Sequence, residues 1–181
     1  MMKSISILIP VYNEEESLQT LFEELKTSFE NNQSIEIIFI NDGSSDMSQK
    51  VIENEIANHS TWKLINLYRN YGKSVALQSG IDIASNELIA TLDGDLQDDP
   101  KELINLVREL NEDDVIVGWK KDRLDPLEKK IASKIFNFFI KLFSGLKIKD
   151  SNSGIKVLKK EVAKSLNLYG GRHRYIPLLA H

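Results

Sequence analysis

Short apolar runs alternate with amphipathic helical patterns along most of the chain, and this alternation restricts the fold more than any other feature of the sequence. The predicted strands are ISILIP, IEIIFI, WKLINLY, ELIATL and DVIVGW, at residues 5–10, 35–40, 62–68, 87–92 and 114–119. Helical patterns lie between them, at residues 14–30, from 46 onward, at 73–84 and at 100–110. Nearly continuous apolar strands separated by amphipathic helices predict an α/β fold with a largely parallel sheet that is covered on both faces.

The ends of the predicted elements carry further local signals. Asn13 precedes the first helix and Glu16 follows three positions later, which predicts an N-cap with a capping box. The second half of the chain departs from the alternation, with a long helical pattern at residues 126–146 and a turn at 150–156. The last stretch, RHRYIPLLAH, is expected to contain no closing element.

Four polar stretches stand where predicted strands end and helices begin: PVYNEE, NDGSSD, RNYGKS and DGDLQDDP. In open α/β sheets, ligands bind in the crevice beyond the carboxyl ends of the strands. We therefore expect these four stretches to converge on one binding site.

The stretch TLDGDLQDDP crowds carboxylates at the end of an apolar strand. Asp93 and Asp95 suit a hard cation such as Mg²⁺ or Mn²⁺, which takes one or two carboxylates and completes its shell with water and substrate phosphates. A calcium loop of the EF-hand type is excluded, because Asp98 stands where glycine is needed and Ile104 where the bidentate glutamate belongs. The remaining acids have a simpler interpretation, with Asp98 or Asp99 as the N-cap of a helix that starts at a proline.

Two other kinds of phosphate site fail on spacing. YGKS resembles part of a P-loop, but Leu67 stands where that motif requires glycine, and no G-x-G-x-x-G follows the first strand. Lys73 is therefore interpreted as a first-turn helix residue or as a charge beside the carboxylates. The chain contains no Cys, which excludes thiolate metal sites, and its three His are scattered, which argues against a zinc site.

The net charge of −4 conceals an asymmetry. Residues 119–149 contain nine Lys or Arg against three acids, so this segment is +6 while the remainder is −10. A basic segment on an otherwise acidic chain predicts an anionic partner such as a phosphate or a membrane surface, or else a solvated helix face. The run IFNFFIKLF at 135–143 is apolar on more than one face, which suits a helix at a membrane interface or a buried one. No window of about 18 apolar residues exists, so no membrane-spanning segment is expected.

The motifs IPVYNEE, INDGSSD, RNYGKSVALQSGI, TLDGDLQDDP and DSNSGIK, in this order and spacing, resemble the family 2 glycosyltransferases. Within that family the chain is similar to the polyprenyl-phosphate sugar transferases related to dolichyl-phosphate mannose synthase. The resemblance covers essentially the whole chain. It implies the nucleotide-diphospho-sugar transferase (GT-A) fold, with one antiparallel strand in a mixed sheet and the nucleotide-sugar donor bound across the strand ends.

The resemblance also implies roles for individual residues. The residues implied to bind the donor are Pro10, Tyr12, Glu14, Asp42, Asp93 and Gln97. Among them, Asp42 accepts a hydrogen bond from the base. The metal ligands are Asp93, Asp95 and Gln97, around Mg²⁺ or Mn²⁺. The catalytic residues are Asp95, Lys120 and Asp150, although Lys120 replaces an arginine of the family and Asp150 is also compatible with loop structure or acceptor binding. The residues implied to bind the acceptor are Arg123, Ser133 and Lys134.

The expected protein is therefore an inverting, metal-dependent transferase that moves a sugar from a UDP- or GDP-sugar to a polyprenyl phosphate. It is expected in the cytoplasm, at the cytoplasmic face of the membrane, with no nucleic-acid partner. One domain is expected over 1–181, with a donor and metal half at 1–119, an acceptor half at 120–181, and a truncated C-terminal end. The alternatives are a transferase of the same fold that acts on a saccharide hydroxyl, and a donor-binding protein without turnover.

Overall fold

A computed structural model describes residues 3–29, 34–110, 114–118 and 154–180 of the chain. The strands are β1 (Ile5–Val11), β2 (Ile35–Asn41), β3 (Trp62–Asn66), β4 (Leu88–Thr91), β5 (Val115–Val117) and β6 (Lys156–Lys159). The helices are α1 (Glu15–Phe29), α2 (Ser48–Ile56), α3 (Lys73–Ile83), α4 (Pro100–Glu109), α5 (Lys160–Ser165) and α6 (Ile176–Leu179). A 3-10 helix, Arg172–Tyr175, precedes α6. None of these helices is long and apolar enough to cross a membrane.

The described strands form a single sheet in the order β3-β2-β1-β4-β6-β5. Strands β1 to β4 pair in parallel, and β6 is antiparallel to both of its neighbours, β4 and β5. The predicted α/β class and the expected single antiparallel strand are both confirmed for this part of the chain. The carboxyl ends of β1 to β4 consequently meet along one edge of the sheet.

The sheet is covered on both faces, which explains why its strands are almost entirely apolar. Helices α1, α2 and α4 pack on one face through residues such as Phe22, Ile52 and Leu103. Helices α3 and α5 and the C-terminal segment pack on the other face through residues such as Leu77 and Ala163. Neighbouring residues of one strand therefore belong to different hydrophobic cores, one on each face of the sheet, and both cores exclude water.

The C-terminal part of the chain corrects the sequence analysis. The predicted turn at 150–156 is described only from Gly154, and β6 begins within it at Lys156. The stretch RHRYIPLLAH, which was expected to contain no closing element, forms the 3-10 helix and α6. Strand β6 has Lys at both ends and only Val157 and Leu158 between them, so its pattern is too short to be recognised. Tertiary context accounts for it, because Val157 and Leu158 are buried on opposite faces of the sheet.

A buried carboxylate ties the amino ends of three strands together. Glu36, on β2, accepts hydrogen bonds from Ser6 Oγ at 2.5 Å, from the backbone N–H of Ser85 at 3.0 Å and from Ser85 Oγ at 2.9 Å, and it pairs with Lys63 on β3. Burial alone would raise the pKa of Glu36, but these hydrogen bonds outweigh it and lower that pKa to about 2. Glu36 therefore remains ionised and stabilises the fold at neutral pH.

We expect Glu36→Gln to lower the free energy of unfolding at pH 7 by about 2 kcal/mol, because charged hydrogen bonds and an ion pair are lost. A folded-state pKa below the unfolded value near 4.5 means that this contribution is present above pH 4.5 and is lost as the pH falls toward 2. Urea unfolding at pH 7, 4.5 and 3 should therefore show the difference between wild type and variant shrinking as the pH falls.

Glu53→Gln is the matched control, because Glu53 is exposed and accepts a hydrogen bond from Gln49 one turn away on the same helix. Its effect on the free energy of unfolding should stay below about 0.5 kcal/mol at each pH. Equal effects of the two substitutions would contradict the role assigned to Glu36.

Candidate functional site

Four loops follow β1 to β4 at the carboxyl edge of the sheet. The first loop comprises residues 12–14, the second 42–47, the third 67–72 and the fourth 92–99. Asn13 joins the first loop to the second, since its backbone N–H donates to Ser44 Oγ at 3.0 Å and its Oδ1 accepts from the Ser45 N–H at 2.8 Å. These two contacts bring the first two of the four polar stretches together, as expected.

The predicted capping box at Asn13 and Glu16 is wrong. The carbonyl oxygen of Glu14 accepts the first hydrogen bonds of α1, from the N–H groups of Ser17 and Leu18, so Glu14 stands at the start of the helix. Asn13 instead adopts a left-handed conformation with φ of 54° and turns its side chain toward the second loop. The tertiary contact with Ser45 has replaced the local cap that sequence spacing predicted.

Asp42 joins the second loop to the third. Its Oδ1 accepts from the backbone N–H of Tyr71 at 2.8 Å and its Oδ2 from that of Gly72 at 2.9 Å, and the residue is only 4% exposed. Gly43 follows with φ of 70°, and a side chain there would meet the Arg69 backbone at 2.4 Å. The two loops are therefore in backbone contact, and the Asp42 carboxylate fixes their spacing.

Lys73 joins the third loop to the fourth. It is the first residue of α3, and its Nζ forms an ion pair with Asp93 Oδ1 immediately after β4. The side chains of Lys73 and Asp93 are 32% and 27% exposed, so both remain within reach of a ligand. Of the two interpretations offered for Lys73, the structure supports both: it is a first-turn residue and it lies beside the carboxylates.

The fourth loop places its three predicted metal ligands differently. Asp93 is half-buried, whereas Asp95 and Gln97 are exposed, and Asp95 Oδ1 accepts from the Gln97 N–H at 3.2 Å. Leu96 between them has φ of 60°, which turns the loop sharply. Gln97 also lines a groove of about 540 Å³ between α1 and the fourth loop. Asp99 caps α4 by accepting from the Lys101 N–H at 2.9 Å, as one of the sequence interpretations predicted.

The donor set of this loop fits a hard divalent cation. In the described ranges no three Asp, Glu, His or Cys side chains converge as a ready-made metal cluster. Mg²⁺ is normally held by one or two carboxylates, with water and phosphate oxygens completing the shell. Asp93 and Asp95 can supply those carboxylates, and Gln97 could add an amide oxygen.

The remaining residues predicted for the donor site line the same edge. Pro10 is the sixth residue of β1, and its carbonyl oxygen lies 3.5 Å from the point where a side chain on Gly94 would begin. Tyr12 is 46% exposed. Glu14 accepts a hydrogen bond from Ser17 Oγ at 3.0 Å, and Ser17 Oγ also lies 3.1 Å from the Gly94 carbonyl oxygen. Ser17, which the sequence analysis missed, therefore bridges the first and fourth loops.

Gly154 brings the antiparallel strand against the carboxylates. Thr91 Oγ1 donates to its carbonyl oxygen at 2.5 Å, and an added methyl group would meet Asp98 Oδ2 at 2.2 Å and Asp93 Cγ at 2.8 Å. The DSNSGIK motif thus places a residue without a side chain where the fourth loop packs most closely. The motif was visible in the sequence, but nothing in its spacing indicated this contact.

His173 is a second neighbour that the sequence analysis missed. The Ser74 hydroxyl lies 2.9 Å from His173 Nδ1 and accepts from the His173 backbone N–H at 3.1 Å. Burial above all, together with the cations of Lys73, Arg174 and Lys156, lowers the pKa of His173 to about 4, while Asp93 opposes this shift. The imidazole is therefore neutral at pH 7, and Nδ1 can accept the Ser74 hydroxyl proton.

Several predicted site residues lie outside the described part of the chain. They are Lys120, Arg123, Ser133, Lys134 and Asp150, together with the basic segment and the helical pattern at 126–146. Their assignments remain predictions.

Comparisons with known proteins show the family and the fold of the chain. The family model described as glycosyl transferase family 2 matches residues 6–166. A dodecaprenyl-phosphate galacturonate synthase from Rhizobium johnstonii is 36% identical over 178 residues, which are 96% of this chain and 53% of that protein. An undecaprenyl-phosphate 4-deoxy-4-formamido-L-arabinose transferase from Salmonella choleraesuis is 36% identical over 184 residues, covering 99% of this chain and 56% of that protein. The chain thus spans about half the length of these relatives.

Solved structures share the fold at low sequence identity. A mannosyltransferase from Pyrobaculum calidifontis, in complex with GDP-Man and Mn²⁺, aligns with a TM-score of 0.70 at 12% identity, over 94% of this chain and 48% of that one. Glucosyl-3-phosphoglycerate synthase from Mycobacterium tuberculosis, in complex with UDP, aligns with a TM-score of 0.72 at 15% identity, over 97% and 64% of the two chains. The predicted GT-A fold is confirmed.

We expect Gly154→Ala to lower the free energy of unfolding by about 1–3 kcal/mol, because the new methyl group must displace two carboxylates in a packed region. Gly171→Ala is the matched control, since nothing lies within 4 Å of its added methyl group and its φ of −93° suits alanine. Urea unfolding of both variants gives the comparison. A Gly154→Ala protein as stable as the control would contradict the close packing of Gly154 against Asp93 and Asp98.

The free energy of unfolding should also depend on His173 at mildly acidic pH. Because its folded-state pKa of about 4 lies below the unfolded value of 6.5, only the unfolded chain gains a proton between these values. Stability is therefore complete above pH 6.5 and falls by about 1–3 kcal/mol as the pH drops toward 4. Unfolding measured at pH 7, 5.5 and 4.5 should show a shallower decline in His173→Asn than in wild type. Identical declines would mean that His173 protonates as easily in the folded protein as in the unfolded one.

Proposed function

Because the chain belongs to glycosyl transferase family 2, we propose that it transfers a sugar from a nucleotide diphosphate to a polyprenyl phosphate in an inverting, metal-dependent reaction. The choice of acceptor is supported by the relatives at 36% identity, which are named as transferases of sugars to dodecaprenyl and undecaprenyl phosphate. The choice of donor is supported by solved structures of the same fold that contain GDP-Man or UDP.

The observation that carries this proposal is the convergence of the four loops around a carboxylate pair at the end of a strand. Asn13, Asp42, Lys73 and Ser17 link the loops to one another, so the site is held by hydrogen bonds before any ligand arrives. A preorganised edge of this kind reduces the conformational cost of binding a donor.

The proposed reaction breaks the bond between the sugar and a diphosphate, which leaves negative charge on a phosphate oxygen. A divalent cation held by Asp93 and Asp95, with Gln97 beside them, would act as a Lewis acid for that charge. The protein contributes the position of those carboxylates, because Asp93 is seated between Lys73 and Gly154.

We assign the base and ribose of the donor to the first and second loops, through Pro10, Tyr12, Glu14 and Asp42. The exposure of Tyr12 leaves its ring available for a base. Asp42 already accepts two backbone N–H groups, but a carboxylate has acceptor capacity for about four hydrogen bonds. A contact from the base to Asp42 is therefore compatible with its role in holding the third loop.

The acceptor is assigned to the part of the chain that follows β5. A polyprenyl phosphate carries its own anionic nucleophile, so fixed cations can position it with little help from a general base. Lys120, Arg123, Ser133 and Lys134 are proposed for that task, and Asp150 for the acceptor side of the reaction. The basic and apolar pattern at 119–149 supports contact with the cytoplasmic face of a membrane.

Asp95→Asn tests the proposal, because Asp95 is exposed and its loss should leave the fold intact. We expect transfer of radiolabelled sugar from UDP- or GDP-sugars to undecaprenyl phosphate, measured as label extracted with the lipid in the presence of Mn²⁺, to fall about a hundredfold. Calorimetric titration of the same nucleotide sugars, with and without Mn²⁺, should show metal-dependent binding that the variant loses.

Asp99→Asn is the matched control. It removes one charge from the same loop, and asparagine replaces aspartate well as the cap of α4. Transfer should persist in this variant. Label that appears on an oligosaccharide and never in the lipid would favour a hydroxyl acceptor. Donor binding without any transfer would favour a protein that binds the donor without turnover.

A further inference from the structure

The ion pair between Lys73 and Asp93 occupies a carboxylate that the proposed function assigns to a metal. Lys73 Nζ forms an ion pair with Asp93 Oδ1, and the other carboxylate oxygen, Oδ2, faces the backbone of Gly154. Asp93 is the less exposed of the two strand-end carboxylates, because Asp95 extends into solvent. Desolvation is therefore more costly for Asp93 than for Asp95, and Asp93 is the carboxylate that the Lys73 ammonium group neutralises.

The main chain around Lys73 is held on both sides. Gly72 donates its N–H to Asp42 Oδ2 at 2.9 Å, and Ser74 Oγ is bonded to both His173 Nδ1 and the His173 N–H. The position of the Lys73 backbone is therefore fixed by residues from two distant parts of the chain. Its ammonium group stands at the end of a flexible four-carbon stem and can move while the backbone stays in place.

An ammonium group and a divalent cation cannot share one carboxylate oxygen at contact distance, since like charges repel strongly at such separations. A cation that enters beside Asp93 must displace Lys73. Once displaced, the ammonium group lies near a site where a diphosphate is proposed to bind, and a phosphate oxygen is a suitable new partner for it.

We propose that Lys73 is the resting counter-ion of Asp93, which a divalent cation displaces and which then pairs with the diphosphate of the donor. The identity of the diphosphate rests on the proposed function, whereas the competition for Asp93 does not. Lys73 thus couples the binding of the two ligands. A metal ion that binds alone must break the ion pair between Lys73 and Asp93. When the metal ion and the diphosphate bind together, the displaced ammonium group gains a new partner.

The experiment uses Mn²⁺ alone, followed by Mn²⁺ with inorganic pyrophosphate, and measures free Mn²⁺ by electron paramagnetic resonance. Lys73→Met removes the charge and keeps most of the stem, and Lys73→Arg keeps the charge. We expect Lys73→Met to bind Mn²⁺ alone roughly fivefold more tightly than wild type, which is the scale of a partly exposed ion pair. Lys73→Arg keeps the charge and should bind Mn²⁺ alone no more tightly than wild type. Pyrophosphate should increase the Mn²⁺ affinity of wild type by a larger factor than that of Lys73→Met.

Lys63→Met is the matched control, because Lys63 also pairs with a carboxylate, Glu36, but at the amino end of the strands. It removes the same charge from the protein and should leave Mn²⁺ affinity unchanged. The double variant Lys73→Met with Asp93→Asn should lose the gain seen in Lys73→Met, which would place the Mn²⁺ ion at Asp93.

A Lys73→Met protein with unchanged or weaker Mn²⁺ affinity would overturn the proposal, and so would the absence of Mn²⁺ binding in every variant. An equal gain in Lys63→Met would also overturn it, since net charge would then explain the effect. Failure of the proposed function gives a different result: sugar is not transferred to polyprenyl phosphate, while the gain in Mn²⁺ affinity of Lys73→Met remains.

Discussion

The buried carboxylate of Asp42 is the contact on which the geometry of the site depends most. A carboxylate with 4% exposure is stable in the folded protein only when hydrogen bonds replace its lost hydration, and here the N–H groups of Tyr71 and Gly72 do so. These two N–H groups lie immediately before α3, so the same contact determines where that helix begins. The position of Lys73, and with it the environment of Asp93, follows from a residue at the end of a different strand.

The antiparallel strand β6 has a comparable effect from the other side of the site. Because β6 pairs with β4 in the opposite direction, the chain enters it at the carboxyl edge of the sheet, at Gly154, directly beside Asp93. A parallel strand in the same place would have begun at the amino edge. The reversal therefore brings the DSNSGIK motif to the carboxylates, and the missing side chain of Gly154 lets the two backbones approach closely.

Sequence patterns predicted the five strands before β6 and the four loops, because both depend on local and repetitive features: apolar runs, helical periodicity and polar residues at strand ends. They failed where a distant contact decided the outcome. Asn13 carries a good local cap signal, but Ser45 binds its side chain instead. Ser74 and His173 are 99 positions apart, and neither residue type alone indicates the other. The Mg²⁺ or Mn²⁺ prediction arose from two carboxylates, and the sequence offered Lys73 as a charge beside them. Its ion pair with Asp93 became apparent only when α3 was placed beside β4.

The loop backbones of this site are fixed by hydrogen bonds, whereas its charged side chains must change partners when ligands bind. The hydrogen bonds that Asp42 and Asn13 accept, and the one that Ser17 donates, hold the loops, so little conformational entropy remains to be lost when a ligand binds. The charges must nevertheless change partners, because without ligands Asp93 needs a cation and with a metal diphosphate it already has one. A lysine meets both conditions, since it carries a positive charge at the end of a long, flexible stem that permits two positions. An arginine fork held by two hydrogen bonds would be harder to displace, and a neutral residue would leave Asp93 without a counter-charge whenever no metal is bound.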